Sequence, residues 1–265
     1  MLRKKIRRFL RSSPLRKLQW AIRIEGKRPA LSQDVRFIRV KSTRNKNRLD
    51  IVGVSGIGKT YFGIRLAKCL GQIGPTTAKE KKSIPDSWGE VFTSFAQRLG
   101  KKISSPASNY ESLLQQGSFL IDLLELESRL MTNLSFQFTI NGESIVRHRL
   151  KWFADAALIQ PEFISELLKD RLLLLCDADD PVESAIRGRQ KRGDNMLDSP
   201  QLRKSVEKKI QAIRQSASIL AALGIPVLTI NLDRPIRDNI AIVGRFLEEN
   251  HVTSRRIRKW AKRAR

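Results

Sequence analysis

Eight consecutive residues, Gly53-Val54-Ser55-Gly56-Ile57-Gly58-Lys59-Thr60, limit what this chain can fold into more than any other stretch of it. They satisfy G-x4-G-K-[ST] at every fixed position, a match expected by chance in roughly one chain of this length per hundred. Their surroundings narrow the meaning further. RLDIVGVS (48–55) reads as a β-strand, and TYFGIRLAKCLG from Thr60 reads as a helix that stops at Gly71. A strand that enters a glycine-rich turn and leaves it as a helix makes a place for phosphate. The glycines let backbone N–H groups turn inward and the helix presents its positive end. Lys59 sets a point charge near the β and γ phosphates, and the Thr60 hydroxyl reaches Mg²⁺. The expected cradle is Gly53, Ser55, Gly56, Ile57, Gly58, Lys59 and Thr60. The plain alternative is a glycine-rich turn with a solvated lysine, and the strand-turn-helix setting argues against it.

The remaining pattern alternates strands with helices. LSFQFTI (134–140) alternates apolar and polar residues and ends at Asn141-Gly142, and Glu143 to Ile159 is helical, with Pro161 opening a further short helix. Leu172 to Cys176 is an unbroken apolar run closed by Asp177, as in a strand buried on both faces. Asp180-Pro181-Val182-Glu183 and Ser199-Pro200 are helix starts. The second begins a helix with Leu202, Val206, Ile210 and Ile213 on one side that ends at Gly224. Val227 to Leu232 is the last strand and Ile236 to Glu249 the last helix of the set. Residues 72–107 give a weak second strand and a short helix, VFTSFAQRLG, and a capping box at Ser108 and Glu111 starts a long helix of about 20 residues. The expectation is an α/β fold, a three-layer parallel sheet with helices on both faces.

Charge divides the chain in three. The net charge is +25, of which residues 1–50 carry +14, residues 51–250 only +4, and residues 251–265 +7. With 265 residues and 41% hydrophobic content there is enough to bury one core, so the expected organisation is a basic amphipathic arm over 1–47, a domain over 48–250 and a basic tail over 251–265. A nucleic-acid-binding domain would spread its cations over a folded face, whereas these sit at the two ends. An anionic membrane surface suits the arm, where Leu2, Ile6, Phe9 and Leu10 recur at helical spacing among arginines and lysines. A solvated arm, an Arg-rich mitochondrial targeting peptide and a nucleic-acid partner stay open as alternatives.

Two further classes are disfavoured. Cys69 and Cys176 both lie in apolar segments, and His148 and His251 are far apart with no cysteine nearby, so neither a disulfide framework nor a side-chain metal cluster is expected. Residues 1–23 lack the apolar core of a secretory signal, and the uncharged run 215–232 is split by Gly224-Ile225-Pro226. The protein is therefore expected in the cytoplasm, with its basic ends able to hold it at the inner face of the membrane.

On GVSGIGKT (53–60), LLLLCDADDPVESAIRGRQKRG (172–193) and IPVLTINLDRP (225–235) followed by a helix, the chain resembles the P-loop small-molecule kinases, the group that includes thymidylate kinase and the deoxynucleoside kinases. The resemblance covers about residues 48–250, and its specific motif is the loop. It implies an ATP- and Mg²⁺-dependent phosphotransferase acting on a small nucleotide, nucleoside or sugar-like acceptor. The second segment resembles the strand and arginine-bearing lid that close over the phosphates, and the third resembles the last strand, with its loop near the base. Arg187, Arg189 and Arg192 are then lid candidates; Arg189 and Arg192 share a helix face while Arg187 points elsewhere. The group carries an Asp-Arg or Asp-Glu pair at the end of the strand beside the loop. Here that strand ends Asn141-Gly142-Glu143, which makes Glu143 the nearest equivalent as general base or Mg²⁺ organiser, with Arg147 one turn on. Asp177 matches either a Walker-B carboxylate or the lid strand, and Glu80 and Asp86 are acceptor-side candidates. The leader KKIRRFLRSSPLRKL loosely resembles those of bacterial capsule and surface-polysaccharide proteins, which would imply a sugar or lipid-linked acceptor. A non-catalytic nucleotide switch and a nucleic-acid-associated P-loop protein are the rivals.

Overall fold

The computed structural model describes residues 35–41, 48–73, 137–142, 144–192 and 198–264, which belong to one compact unit. Its strands are β1 (Val35–Arg39), β2 (Arg48–Val52), β3 (Gln72–Ile73), β4 (Gln137–Asn141), β5 (Arg171–Asp177) and β6 (Val227–Asn231). Its helices are α1 (Lys59–Leu70), α2 (Ile145–Ala157), α3 (Pro161–Leu167), α4 (Pro181–Gln190), α5 (Pro200–Ala222), α6 (Ile236–Glu249) and α7 (Arg255–Ala261). The expectations for the arm up to residue 34, the second strand and helix before residue 107, the long helix from Ser108, and Glu80, Asp86 and Glu143 fall outside the described residues.

The strands form one sheet in the order β3-β1-β4-β2-β5-β6. β4, β2, β5 and β6 run parallel, with Leu49 opposite Ile140 on one side and Leu172 on the other. Every residue of β2 and the first six of β5 are buried, as parallel strands covered on both faces require. Leu172, Leu174 and Cys176 join Leu49 and Ile51 in a core with Leu66 and Leu70 of α1 and Val243 and Leu247 of α6. Leu173 and Leu175, which alternate with them, are also buried, and the 23-residue α5 packs against both β5 and β6.

The sheet departs from an all-parallel one at one edge. β1 lies antiparallel to both β4 and β3, and its register puts Phe37 opposite Thr139 on one side and Ile73 on the other. β1 therefore belongs to the domain although it falls within residues 1–47, expected to be arm. The reason is local: VRFIRV is rich in β-branched and aromatic residues, with Ile38 and Val40 buried, and the surrounding cations masked it in a charge count.

The last fifteen residues depart in the same way. Ser254 caps α7 by accepting from the Ile257 backbone N–H, and Val252, Ile257 and Ala261 are buried as α7 packs on α6 and α1. Gly244 of α6 meets Trp260 so closely that a Cβ there would lie 3.0 Å from the tryptophan Cβ. Residues 251–264 are thus domain, not tail. Their charge stays outside: Arg255, Arg256, Arg258, Lys259, Lys262 and Arg263 are exposed, and Arg263 stacks over Trp260 at 4.6 Å.

From the amino end of β5, Arg171 Nη1 donates to Asp50 Oδ2 in the middle of β2 at 2.7 Å, with both side chains fully buried. Asp170 adds a carboxylate 3.5 Å from Arg48 Nε and 3.8 Å from Arg171 Nε. A pair this dry contributes less by its own attraction than it costs when one member is lost. Asp50→Ala is expected to destabilise the unit by about 3–5 kcal/mol, and adding Arg171→Met to Asp50→Leu to recover most of that. Urea unfolding of the single and double variants checks this; equal losses in both would contradict it.

Candidate functional site

The loop 53–58 leaves the carboxyl end of β2 beside β5, because Val52 pairs with Leu175. Gly53, Gly56 and Gly58 all adopt positive φ, at 141°, 96° and 102°. At Gly53 and Gly56 the requirement is double. A Cβ on Gly53 would lie 2.7 Å from the Cys176 carbonyl oxygen, and one on Gly56 would lie 2.2 Å from the Ala185 carbonyl oxygen. Gly58 is the N-cap of α1. No side chain caps that helix and no acid stands in its first turn, so nothing in the first turn competes for its N–H groups.

Lys59 is 5% exposed, and its Nζ donates to the carbonyl oxygens of Gly53 and Val54 at 2.7 and 2.6 Å. The ammonium is thereby held across the mouth of its own loop. Ser55, Gly58 and Thr60 are exposed and Ile57 is buried in the core, which anchors the turn. A narrow hollow beside Lys59 and Thr60 is walled by Ile140 and Gly142 from the end of β4 and by Arg36 from β1. Arg147, whose N–H is accepted by the Ser144 cap of α2, donates through Nη1 to the Gly142 carbonyl. Beneath the loop, burial pushes the Cys176 thiol up to about 12 against the opposing pull of Lys59 and Arg147, so it stays a neutral core group.

Helix α4 closes on the loop. Arg189 Nε donates to the Ser55 carbonyl oxygen and Arg192 Nη2 to the Ser55 hydroxyl, both at 3.2 Å. Arg187 turns outward and pairs with Glu183 at 3.5 Å. The structure thus brings Arg189 and Arg192 to the loop and leaves Arg187 away from it, through contacts with Ser55 that the lid analogy did not anticipate. Gly188, which belongs to no sequence motif, makes this approach possible: a Cβ there would lie 1.9 Å from the Gly56 carbonyl oxygen. The signal was present, since a glycine inside a helix costs about 1 kcal/mol relative to alanine and wants a packing reason.

The carboxylates divide. Asp177, at the end of β5, is 18% exposed and its Oδ2 accepts from Arg214 Nε at 2.8 Å and Nη2 at 2.7 Å. Its Oδ1 accepts from the Ala178 N–H. Asp180 caps α4. Asp179 and Asp233 tie the two loops that follow β5 and β6: Asp233 Oδ2 accepts from the Asp179 N–H at 2.7 Å, Asn231 donates to Asp179, and Asn231 Oδ1 accepts from the Asp233 N–H. Glu143, the expected base, is outside the described residues, and among the described residues there is no cluster of three metal-ligating side chains.

The chain matches no family model, no curated protein and no solved structure.

Gly188→Ala provides a direct test of the α4 contact. A solvent-facing helix glycine would gain stability from the change, whereas here the new methyl meets backbone that cannot swing aside. A net loss of about 1–3 kcal/mol is expected by thermal or urea unfolding; a gain would show that α4 does not sit on the loop.

Proposed function

We propose that this chain has the P-loop NTPase fold and is an ATP-binding, Mg²⁺-dependent phosphotransferase whose acceptor is a small molecule. The observation that carries the reading is the loop itself: three glycines at positive φ between a buried parallel strand and an uncapped helix, with Lys59 drawn across the turn. This donor set fits a polyphosphate, because it offers backbone N–H groups, one ammonium and an exposed Thr60 hydroxyl suited to a metal ion. ATP would supply the transferable phosphoryl group, and Mg²⁺ would offset its charge. On the protein side, Lys59 would exchange its two carbonyl acceptors for phosphate oxygens, and the Thr60 hydroxyl would hold the metal. Arg189 and Arg192 can release Ser55 and turn their guanidinium groups to the transferring group. Glu143 is the base or metal-orienting carboxylate of this reading. A nucleotide, nucleoside or sugar-like acceptor is consistent with it.

A second reading, a nucleotide-binding switch without transferase activity, is favoured by one contact. Asp177, the carboxylate at the end of the strand next to the loop, is committed to Arg214.

Lys59→Ala is expected to weaken ATP·Mg²⁺ binding by at least about tenfold, because it removes the one ammonium of the cradle, while leaving the fold intact. Calorimetry with circular dichroism checks this, and unchanged affinity would remove the basis of both readings. A phosphate-transfer assay over nucleosides, nucleotides and sugars separates the two readings.

The basic ends are assigned here to an anionic surface at the inner face of the membrane, with nucleic acid the weaker candidate. Among the described residues no helix is long and apolar enough to cross a membrane, so contact by this unit would be peripheral. The six exposed cations of residues 255–263 carry the assignment. Replacing Arg255, Arg258 and Lys259 with glutamate is expected to reduce sedimentation with anionic vesicles in low salt, without the unfolding that deletion of buried Ile257 would cause. Undiminished sedimentation, or selective binding of DNA with a steep salt slope, would overturn it.

A further inference from the structure

Among the described residues no strand lies beyond β6, whose one neighbour in the sheet is β5. Two bonds at its ends fix which way its backbone points. Leu173 donates its N–H to the Pro226 carbonyl at 2.9 Å, and Leu232 donates its own to the Asp177 carbonyl at 2.8 Å. With Leu175 opposite Thr229, the even-numbered residues of β6 bond to β5, and Val227, Thr229 and Asn231 turn their N–H and C=O groups outward. The Asn231 carbonyl accepts from Asn239 Nδ2 at 2.7 Å, which closes the edge at that end. Val227 and Thr229 present the rest of it, Thr229 exposed and Val227 half-buried.

Proteins ordinarily blunt such an edge with charged side chains or a bulge. β6 has neither. In a chain of net charge +25, residues 215–232 hold no charged side chain, and they make up the last turns of α5, the turn at Gly224 and all of β6. The exposed residues in those turns of α5 are Gln215, Ser218, Ala221 and Ala222, uncharged and mostly small.

We infer that β6 pairs antiparallel with β6 of a second copy of this chain across a two-fold axis, joining the two sheets into one. The outward groups set the register. Val227 of each copy exchanges both its bonds with Thr229 of the other, and half-buried Leu228 faces its own counterpart on the axis. A second copy is the occupant because of charge. Chains of +25 repel one another wherever cations face cations, and an uncharged strand beside an uncharged helix end is where two of them can close. An acidic partner would find its complement on the basic surfaces instead.

Sedimentation equilibrium of the full chain tests this. A reversible dimer is expected that tightens as salt rises, since screening weakens the repulsion between copies while the contact itself is uncharged. Thr229→Pro removes an outward N–H without touching a β5 bond, and Thr229→Lys puts a cation into each hydrogen-bonded pair. Each change acts twice across the axis and is expected to weaken association about tenfold or more. Thr229→Val, which keeps the backbone groups and favours the strand, should leave it unchanged. Circular dichroism shows whether the proline is tolerated, and the lysine variant decides the matter if it is not. Amide hydrogen exchange at Val227 and Thr229 should slow as protein concentration rises. A monomer at every concentration and salt, a dimer that falls apart as salt rises, a dimer indifferent to both the proline and the lysine, or one that leaves those two amides exchanging as before would each overturn the inference.

Discussion

Backbone packed directly on backbone is the constraint on which this unit turns. Three close approaches, Gly53 on Cys176, Gly56 on Ala185 and Gly188 on Gly56, join the loop to β5 and α4 with no side chain between them. Each removes a degree of freedom that a Cβ would have restored by pushing the elements apart. Because the contacts are chained, the conformation of the loop and the position of α4 are set together. Arg189 on α4 and Arg192 just past its end reach Ser55 as a consequence of this seating.

Much of the fold was legible in the sequence, and the reasons are particular. The helices over 59–70, 200–222 and 236–249 announce themselves through apolar spacing and through Ser199-Pro200 or a closing glycine. The strand over 171–177 does so through an unbroken apolar run. β1 and α7 were hidden for one shared reason. In both, cations on the outward positions dominate the local composition, while the inward positions, Ile38 and Val40 in one and Val252, Ile257 and Ala261 in the other, are too few to stand out. The antiparallel edge could not be read because strand direction depends on partners distant in sequence, and β1 is separated from β4 by about a hundred residues.

At the site, the loop residues were legible because their chemistry demands a fixed spacing. Partnerships formed across the sheet were not. Arg214 gives no sign in sequence that it faces Asp177 from α5, and neither Ser55 nor Gly188 carries a pattern that links the loop to α4. Such contacts depend on how helices are seated on strands, which helical or strand periodicity does not encode. Charge was misleading for a related reason. Arg171 and Arg48 count toward the basic total, yet both are buried with aspartates beside them and face no outside partner.

The row of Ile73, Phe37 and Thr139 across β3, β1 and β4 has a bearing on how this architecture could change over time. Neighbouring strands lie about 4.8 Å apart, so the chain leaves the sheet at Ile73 and rejoins it at Gln137, two strands across and two residues back, within about 12 Å. β3 and β4 run parallel with β1 between them, so their connection is a crossover that needs about a dozen residues, and the entropy of closing a longer one grows only with the logarithm of its length. The sheet therefore exerts little selection on the length or content of what is spliced between β3 and β4. A lineage could exchange, expand or shed that stretch while the strands, the loop and the contacts beneath it keep their places.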